Sequence, residues 1–318
     1  MKDGNAVIIG LQYGDEGKGR VSGYFVQDYD WSVRFNGGPN AGHTVYRDGV
    51  KYALHHLPAG AVFGKKVALD SGMVMDWDIF QQEWKTIKNH FELYISNNVH
   101  VIQPQHKAND SDGSGIGTTK RGMAYVYSDR ALRKGKRIAE FLGEHRYLLS
   151  CYDGLPPMQS NETALLESAQ GIMLDVDYGC YPYVTSSSVL PTIAHKVVKT
   201  IGVMKAYVSR VGDGPPYSDD IPELRAVGAE FGTTTGRPRK CTWFNLEEMD
   251  YAISIVQPDE IVITKLDILN NIQPKAYDVG GKLITFENVD SFTDLLLSRY
   301  PQVKWISNRP DGDLIKVR

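Results

Sequence analysis

The feature that most restricts the fold of this chain lies near its start. Ala6 to Leu11 is a short apolar run, and it leads into the glycine-rich segment Gly10-Leu11-Gln12-Tyr13-Gly14-Asp15-Glu16-Gly17-Lys18-Gly19. Arg20 to Gln27 then has helical character. A buried strand, a tight turn and a helix in that order predict a sheet whose strand ends open onto helix N-termini. Such a turn offers backbone N–H groups to a phosphate, and Lys18 adds a point charge. The spacing is not that of the usual phosphate loop, because six residues separate Gly10 from Gly17 and Gly19 stands where Ser or Thr is expected. The same residues would also make a plain strand-to-helix turn with a solvated Asp-Glu pair.

Further strands are predicted at Trp31 to Phe35, Val99 to Gln103, Val197 to Val211 and Glu260 to Thr264. Helices are predicted over Arg130 to Phe141, Glu247 to Val256 and Ser291 to Arg299, while Ala164 to Gln170 leads into a turn at Gly171. Asn109 to Gly122 is polar and glycine-rich and reads as a long loop, a class that often carries function. Alternation of strands and helices predicts an α/β fold with a mostly parallel central sheet flanked by helices. No Pro/Gly/Ser linker divides the chain, so residues 1–318 read as a single domain.

Composition narrows the setting. A net charge of -3 gives no overall pull toward nucleic acid or an anionic membrane. Cys151, Cys180 and Cys241 are far apart and lack metal or redox spacing. No basic-then-apolar leader is present, and no apolar run approaches the roughly 20 residues of a membrane span. A reduced, cytoplasmic setting is the expectation.

Four other segments carry chemistry-bearing residues. Asn40-Ala41-Gly42-His43-Thr44 places a histidine among small residues that permit close approach of a ligand, although a lone loop histidine is more often structural. Ile263-Thr264-Lys265-Leu266-Asp267 puts a carboxylate at the C-terminal end of a strand, where it could accept from both N1–H and the 2-amino group of a guanine. The plain alternative there is an ion pair at a strand end. Gly232-Thr233-Thr234-Thr235-Gly236-Arg237-Pro238-Arg239-Lys240 suits a small dicarboxylate, because Arg matches carboxylate geometry, or it is a basic surface loop. Gly117-Thr118-Thr119-Lys120-Arg121-Gly122 precedes the basic stretch Arg130 to Arg137, for which nucleic-acid binding is the alternative; with Tyr127 as the one aromatic close by and a net acidic chain, it reads best as a solvated helix face.

In this order, and together with Ala169-Gln170-Gly171, Tyr181-Pro182-Tyr183-Val184-Thr185-Ser186-Ser187 and Glu230-Phe231-Gly232, these segments resemble adenylosuccinate synthetases over nearly the whole chain. The resemblance implies a P-loop-like GTP-binding ligase fold. It also implies a ligase that joins aspartate to the 6-position of a 6-oxopurine nucleoside monophosphate. Asp15 resembles the base that takes the N1 proton, so that O6 attacks the γ-phosphate of GTP. His43 resembles the acid at the β–γ bridge, and Lys18 and Mg²⁺ would neutralise phosphate charge. Asp15 and the carbonyl of Gly42 would be the metal ligands.

Carried over by position, Asn40, Thr118, Thr119, Arg133, Gln170, Thr185, Val211 and Asp213 would hold the monophosphate. Thr234, Thr235 and Arg237 would hold aspartate. Gly14, Glu16, Gly17, Lys18, Gly19, Gly42, His43, Thr44, Arg239, Lys265, Asp267 and Ser307 would hold GTP. The family's counterpart of Arg133 comes from a partner subunit, which implies a homodimer. The other implied partners are small molecules, with no nucleic acid and no membrane.

The chain departs from the family pattern at several positions. Tyr13 replaces the usual Trp, Met123-Ala124-Tyr125-Val126-Tyr127 replaces Ile-Gly-Pro-Ala-Tyr, and Asp213 replaces a small Ala. Thr242 and Asn245 stand for Gly and Asp around Trp243, and Arg309 stands for Gly. A phage branch of the family makes 2-aminoadenylosuccinate from dGMP. Its better-known members lack the Asp of the first motif and use ATP, whereas this chain keeps Asp15 and Lys265-Leu266-Asp267. Compact length and the altered substrate loop favour dGMP with GTP as donor, and IMP is the alternative. A GTPase switch would use the same glycine loop and Asp267 but would give Gln170 and the Thr-Thr-Gly-Arg loop no role.

Overall fold

The structure, a computed structural model, describes residues 4–87, 91–112, 117–143, 150–215, 219–232, 236–309 and 313–317. Ten strands form the central sheet: β1 (Asn5–Gly10), β2 (Trp31–Arg34), β3 (Lys66–Leu69), β4 (Glu92–Ser96), β5 (Ser150–Tyr152), β6 (Ala164–Gly171), β7 (Val197–Lys205), β8 (Glu260–Thr264), β9 (Val303–Ile306) and β10 (Ile315–Lys316). Their order across the sheet is β10-β9-β8-β7-β1-β6-β2-β3-β4-β5. Every adjacent pair is parallel except the edge pair β9–β10.

The helices are α1 (Lys18–Phe25), α2 (Trp77–Ile87), α3 (Pro104–Asp112), α4 (Met123–Ala131), α5 (Ile138–Leu142), α6 (Pro222–Gly228), α7 (Leu246–Val256) and α8 (Val289–Arg299).

The central strands are nearly continuous apolar runs because both faces of the sheet are covered. Alternate residues of β1 serve opposite faces. Ala6 and Ile8 pack with Val21, Phe25 and Val26 of the α1 layer, whereas Val7 and Ile9 join the cluster of Leu246, Met249, Phe292 and Leu296 from α7 and α8. Because nine strands run one way, the C-terminal ends of β1, β2, β6, β7 and β8 share one edge of the sheet. In open α/β sheets that edge is where ligands bind.

Three expectations are corrected. Arg130 to Phe141 is not one helix: α4 ends at Ala131, Arg133 turns left-handed with φ 61, and α5 starts only at Ile138. The intervening chain pairs instead with the neighbouring strand, Val101 N–H donating to Lys136 O at 2.8 Å, so tertiary pairing wins over helical propensity. The segment Asn109 to Gly122 starts as the end of α3, with Pro104 at its first position and His106 held 3.0 Å from Asp129 on α4. Residues 113–116 lie outside the described residues. The strand Val197 to Val211 breaks at Ala206 and Tyr207, after which a short strand, Val208–Arg210, pairs with Lys240–Thr242. Among the described residues no helix is long and apolar enough to cross a membrane.

Candidate active site

The loop after β1 folds around one side chain. Glu16 is completely buried, and its Oε1 accepts from the backbone N–H of Gln12 at 3.0 Å and of Gly14 at 2.8 Å. Its Oε2 pairs with Lys18 Nζ at 2.8 Å, and Lys18 also donates to Gly14 O at 3.0 Å. A Cβ on Gly10 would lie 2.4 Å from the Glu16 carboxylate, so only glycine leaves room for it. Glu16 thus orders the loop from inside and holds Lys18 at the start of α1. Gly19 stands in the usual Ser/Thr position because a Cβ there would meet the His43 ring and Thr44 O, each at 2.9 Å. The helix N-terminus is packed directly against the hairpin that carries His43 (His43–Arg47 with Val50–Leu54).

Beside this loop opens a cavity of about 790 Å³. Of the residues expected to hold ligands, Gly14, Asp15, Asn40, Gly42, Thr118, Thr119, Gln170, Thr185, Val211, Arg237 and Arg239 line it. They come from the segments after β1 and β2, from the end of β6 and the segment after it, from the turn after the short strand Val208–Arg210, from residues 117–122 and from Arg237 and Arg239. Gln170, at the end of β6, adopts the left-handed conformation with φ 58. Asp110 organises the 117–122 loop, accepting from Thr118 Oγ1 and from Gly122 N–H, each at 2.8 Å. Asp213 is exposed beside the cavity's edge, where a Cβ added to Gly117 would lie 3.6 Å from its carboxylate. Arg133 is exposed on the turn after α4 and does not line the cavity. Thr234 and Thr235 lie outside the described residues.

Among the described residues Asp15 has one direct cationic partner, Arg239 Nε at 2.8 Å. Burial pushes its carboxyl above the usual carboxylate range, and the Arg239 and Lys205 cations only partly offset that. A carboxylate of raised basicity facing a cavity is suited to taking a proton from a bound ligand.

His43 Nε2 lies 3.3 Å from Glu167 Oε1, a buried carboxylate that also pairs with Arg34 at 3.0 Å and accepts from Ala59 N–H at 3.1 Å. Burial lowers the pKa of His43, and Glu167 pulls it part of the way back. At the end of β8, Thr264 Oγ1 donates to Glu16 O at 2.6 Å, which ties that strand end to the glycine loop. Lys265, left-handed with φ 62, starts the turn Leu266–Asn271 that carries Asp267. Ser307 follows β9, its N–H bonded to Ile263 O at 2.7 Å. Lys265, Asp267 and Ser307 therefore gather at the neighbouring ends of β8 and β9.

Sequence reasoning gave no role to Asp110, Glu167, Arg210 or Glu230. Arg210 lines the cavity between the Tyr13 and Tyr183 rings, 5.1 and 5.9 Å from their centroids. Tyr13, marked in the sequence by the missing Trp, is buried on the cavity wall and donates to Glu248 at 3.2 Å.

A metal here would meet oxygen donors, the Asp15 carboxylate and the Gly42 backbone, both on the cavity wall. Among the described residues no cluster of three or more His, Cys, Asp or Glu offers an alternative. Few protein oxygens, with water and phosphate completing the shell, fit Mg²⁺.

Known proteins resemble this chain in sequence and in fold. The adenylosuccinate synthetase family model matches residues 7–152 and 156–295. An adenylosuccinate synthetase from Thermosipho africanus is 36% identical over 91% of this chain and 87% of its own length. The fully ligated Plasmodium falciparum adenylosuccinate synthetase has a TM-score of 0.85 and 26% identity, with coverage of 99% of this chain and 100% of that one. The cyanophage S-2L succinoaminodeoxyadenylate synthetase, bound to dGMP and dATP, has a TM-score of 0.82 at 22% identity, covers 99% of this chain and 96% of that one, and shares the fold. Matched over nearly its whole length, this chain belongs to the adenylosuccinate synthetase family of C–N bond-forming ligases.

Proposed function

We propose that the chain condenses L-aspartate with the 6-position of a purine nucleoside monophosphate, with GTP as phosphoryl donor and dGMP as the preferred acceptor. The observation that carries the reaction is Asp15: its basic carboxylate stands on a cavity wall that also presents Asn40, Gln170, Thr119 and Thr185. Asn40 and Gln170 orient the base, and Thr118, Thr119, Thr185 and Val211 receive the 5′-phosphate and ribose. Arg133 reaches this pocket from the second subunit of a homodimer.

Asp15 removes the N1 proton, and O6 becomes the nucleophile toward the γ-phosphate. Lys18, His43 and Arg239 stand where charge builds up during transfer. Mg²⁺ held by Asp15 and Gly42 would supply electrostatic neutralisation of the donor phosphates. Arg237, with Thr234 and Thr235, orients aspartate, whose amino group attacks C6. The C6–O6 bond breaks and phosphate leaves with that oxygen. Lys265, Asp267 and Ser307 read the guanine of the donor. The reaction belongs in a cytoplasm, that of a host cell if the chain is phage-encoded.

For the acceptor, Asp213 at the cavity edge is available to accept a hydrogen bond from a 2-amino group. IMP is the second reading, favoured by the name of the Thermosipho relative at 36% identity. The test is phosphate release with GTP, Mg²⁺ and aspartate, offering IMP, GMP and dGMP in parallel. The proposal expects dGMP to lead. If IMP alone turns over, the dGMP assignment fails and the aspartate ligase remains. If Asp213→Ala leaves the dGMP/IMP ratio unchanged, the role of Asp213 fails.

A further inference from the structure

Glu230 sits at the base of the 231–239 loop and is completely buried. Its backbone pairs with Arg239, whose N–H donates to Glu230 O at 3.0 Å, and Phe231 bridges Pro238 one step further out. Its side chain gathers the charges of the site. Oε2 takes Arg239 Nη1 at 2.6 Å and the hydroxyl of Ser209 at 3.3 Å. Oε1 takes Lys205 Nζ at 2.8 Å and the Tyr207 hydroxyl at 2.5 Å, with Lys265 Nζ at 3.8 Å. Burial would raise the carboxyl, but Lys205, Arg239 and Lys265 overcome it and hold Glu230 far below the usual carboxylate range.

One carboxylate thus stands between two cations from different elements of the site. Arg239 continues to Asp15 in the cavity. Lys265 belongs to the turn at the end of β8, next to Asp267, and is also fixed by Gly228 O at 3.1 Å. Lys205 is fully buried and does not line the cavity beside the glycine loop, so it balances Glu230 from behind. Arg239 divides its guanidinium between Asp15 through Nε and Glu230 through Nη1. With its Glu230 contact kept, it can turn from Asp15 to a phosphate without losing its place. Without Glu230 nothing among the described residues competes with Asp15 for it.

We infer that Glu230 is a positioning residue for the phosphoryl-transfer step, holding Arg239 for use by the donor phosphates and joining it to the Lys265 end of the site. The inference rests on the ligase reading above. A residue that acts only through another gives no further loss once that other is gone.

The experiment is a double-mutant cycle with Glu230→Gln and Arg239→Gln in the full-length protein, measured by aspartate-dependent phosphate release. Glu230→Gln is expected to lower kcat by about 30-fold or more and to raise the KM for GTP, with the KM for the monophosphate within about threefold of the parent. At saturating GTP the double variant is expected to match Arg239→Gln alone in kcat, while the GTP KM rises further through the loss of the Lys265 contact. Tyr207→Phe, which removes a hydrogen bond to the same carboxylate and keeps its charge, serves as the structural control, with turnover within about twofold. Losses in kcat that multiply across the cycle would overturn the inference. So would a Tyr207→Phe loss equal to that of Glu230→Gln at an equal drop in melting temperature. A parent protein without aspartate-dependent turnover would instead refute the ligase reading itself.

Discussion

The two sides of the site are built on opposite principles. On the acceptor side, polar groups such as Asn40, Thr119, Gln170 and Thr185 stand open on a cavity wall. On the proposed donor side each cation or imidazole stands beside a buried glutamate: Lys18 by Glu16, His43 by Glu167, and Arg239 and Lys265 by Glu230. Phosphoryl transfer depends on preorganised charge, and a flexible lysine or arginine left free would have to be ordered anew in every turnover. On the proposed acceptor side the neutral groups on the wall would meet the ligand by shape and hydrogen bonding, and such groups gain little from being locked. Donor-side changes should therefore harm folding as well as rate, whereas acceptor-side changes should harm binding alone.

The largest effect lies where the sides meet. Asp15→Asn removes the base and should lower turnover by roughly a thousandfold, within the range for a positioned general base. Steady-state kinetics should show the KM for the monophosphate changed by no more than about threefold.

Next comes Glu16→Gln. It leaves Lys18 buried without its counter-charge, and breaking such a pair costs about 3 kcal/mol. Urea unfolding should show the loss, and a variant as stable as the parent would remove the claim that Glu16 is a structural anchor.

The donor side should also be acid-sensitive. His56, fully buried just after the hairpin that carries His43, accepts from Asp76 N–H at 3.1 Å and has its pKa lowered to about 4 by burial. Below its ordinary value of 6.5 the unfolded chain binds a proton that the folded chain refuses. Stability should therefore fall from pH 6.5 down to about 4 and then level, by about 3 kcal/mol at most. Unfolding free energies at several pH values test this, and His56→Gln should flatten the slope.

The smallest effect belongs to the acceptor wall. Thr185→Ala should raise the KM for the monophosphate about tenfold, the size of one hydrogen bond to a charged group. Its urea midpoint should stay that of the parent. A large stability loss there would erase the contrast between the two sides.

How much of this was legible in the sequence follows the same division. The glycine loop, the strand Glu260–Thr264 and the helix from Leu246 to Val256 are local patterns, and the structure places them within a residue or two of expectation. The cavity wall was legible as short motifs, since eleven of the residues expected to hold ligands line one cavity. Glu167 and Glu230 were not legible as anchors. Glu167 meets Arg34 across 133 positions, and Glu230 meets Lys205 across 25, so neither pairing leaves a periodic trace. Burial turns each charge into an obligation to be paired, and only the folded sheet shows the partner. The false helix from Arg130 to Phe141 failed for a related reason: the pairing of residues 136–137 with His100 and Val101 is non-local.

In the proposed reaction Asp15 makes O6 of the purine the nucleophile toward the donor phosphate. Monophosphate carrying ¹⁸O at the 6-position, supplied with GTP, Mg²⁺ and aspartate and followed by mass spectrometry, tests this at the reacting atom. One labelled oxygen is expected in each released phosphate and none in the aspartate adduct. Unlabelled phosphate would mean that water, not the purine, attacks the donor, and would contradict the proposed reaction.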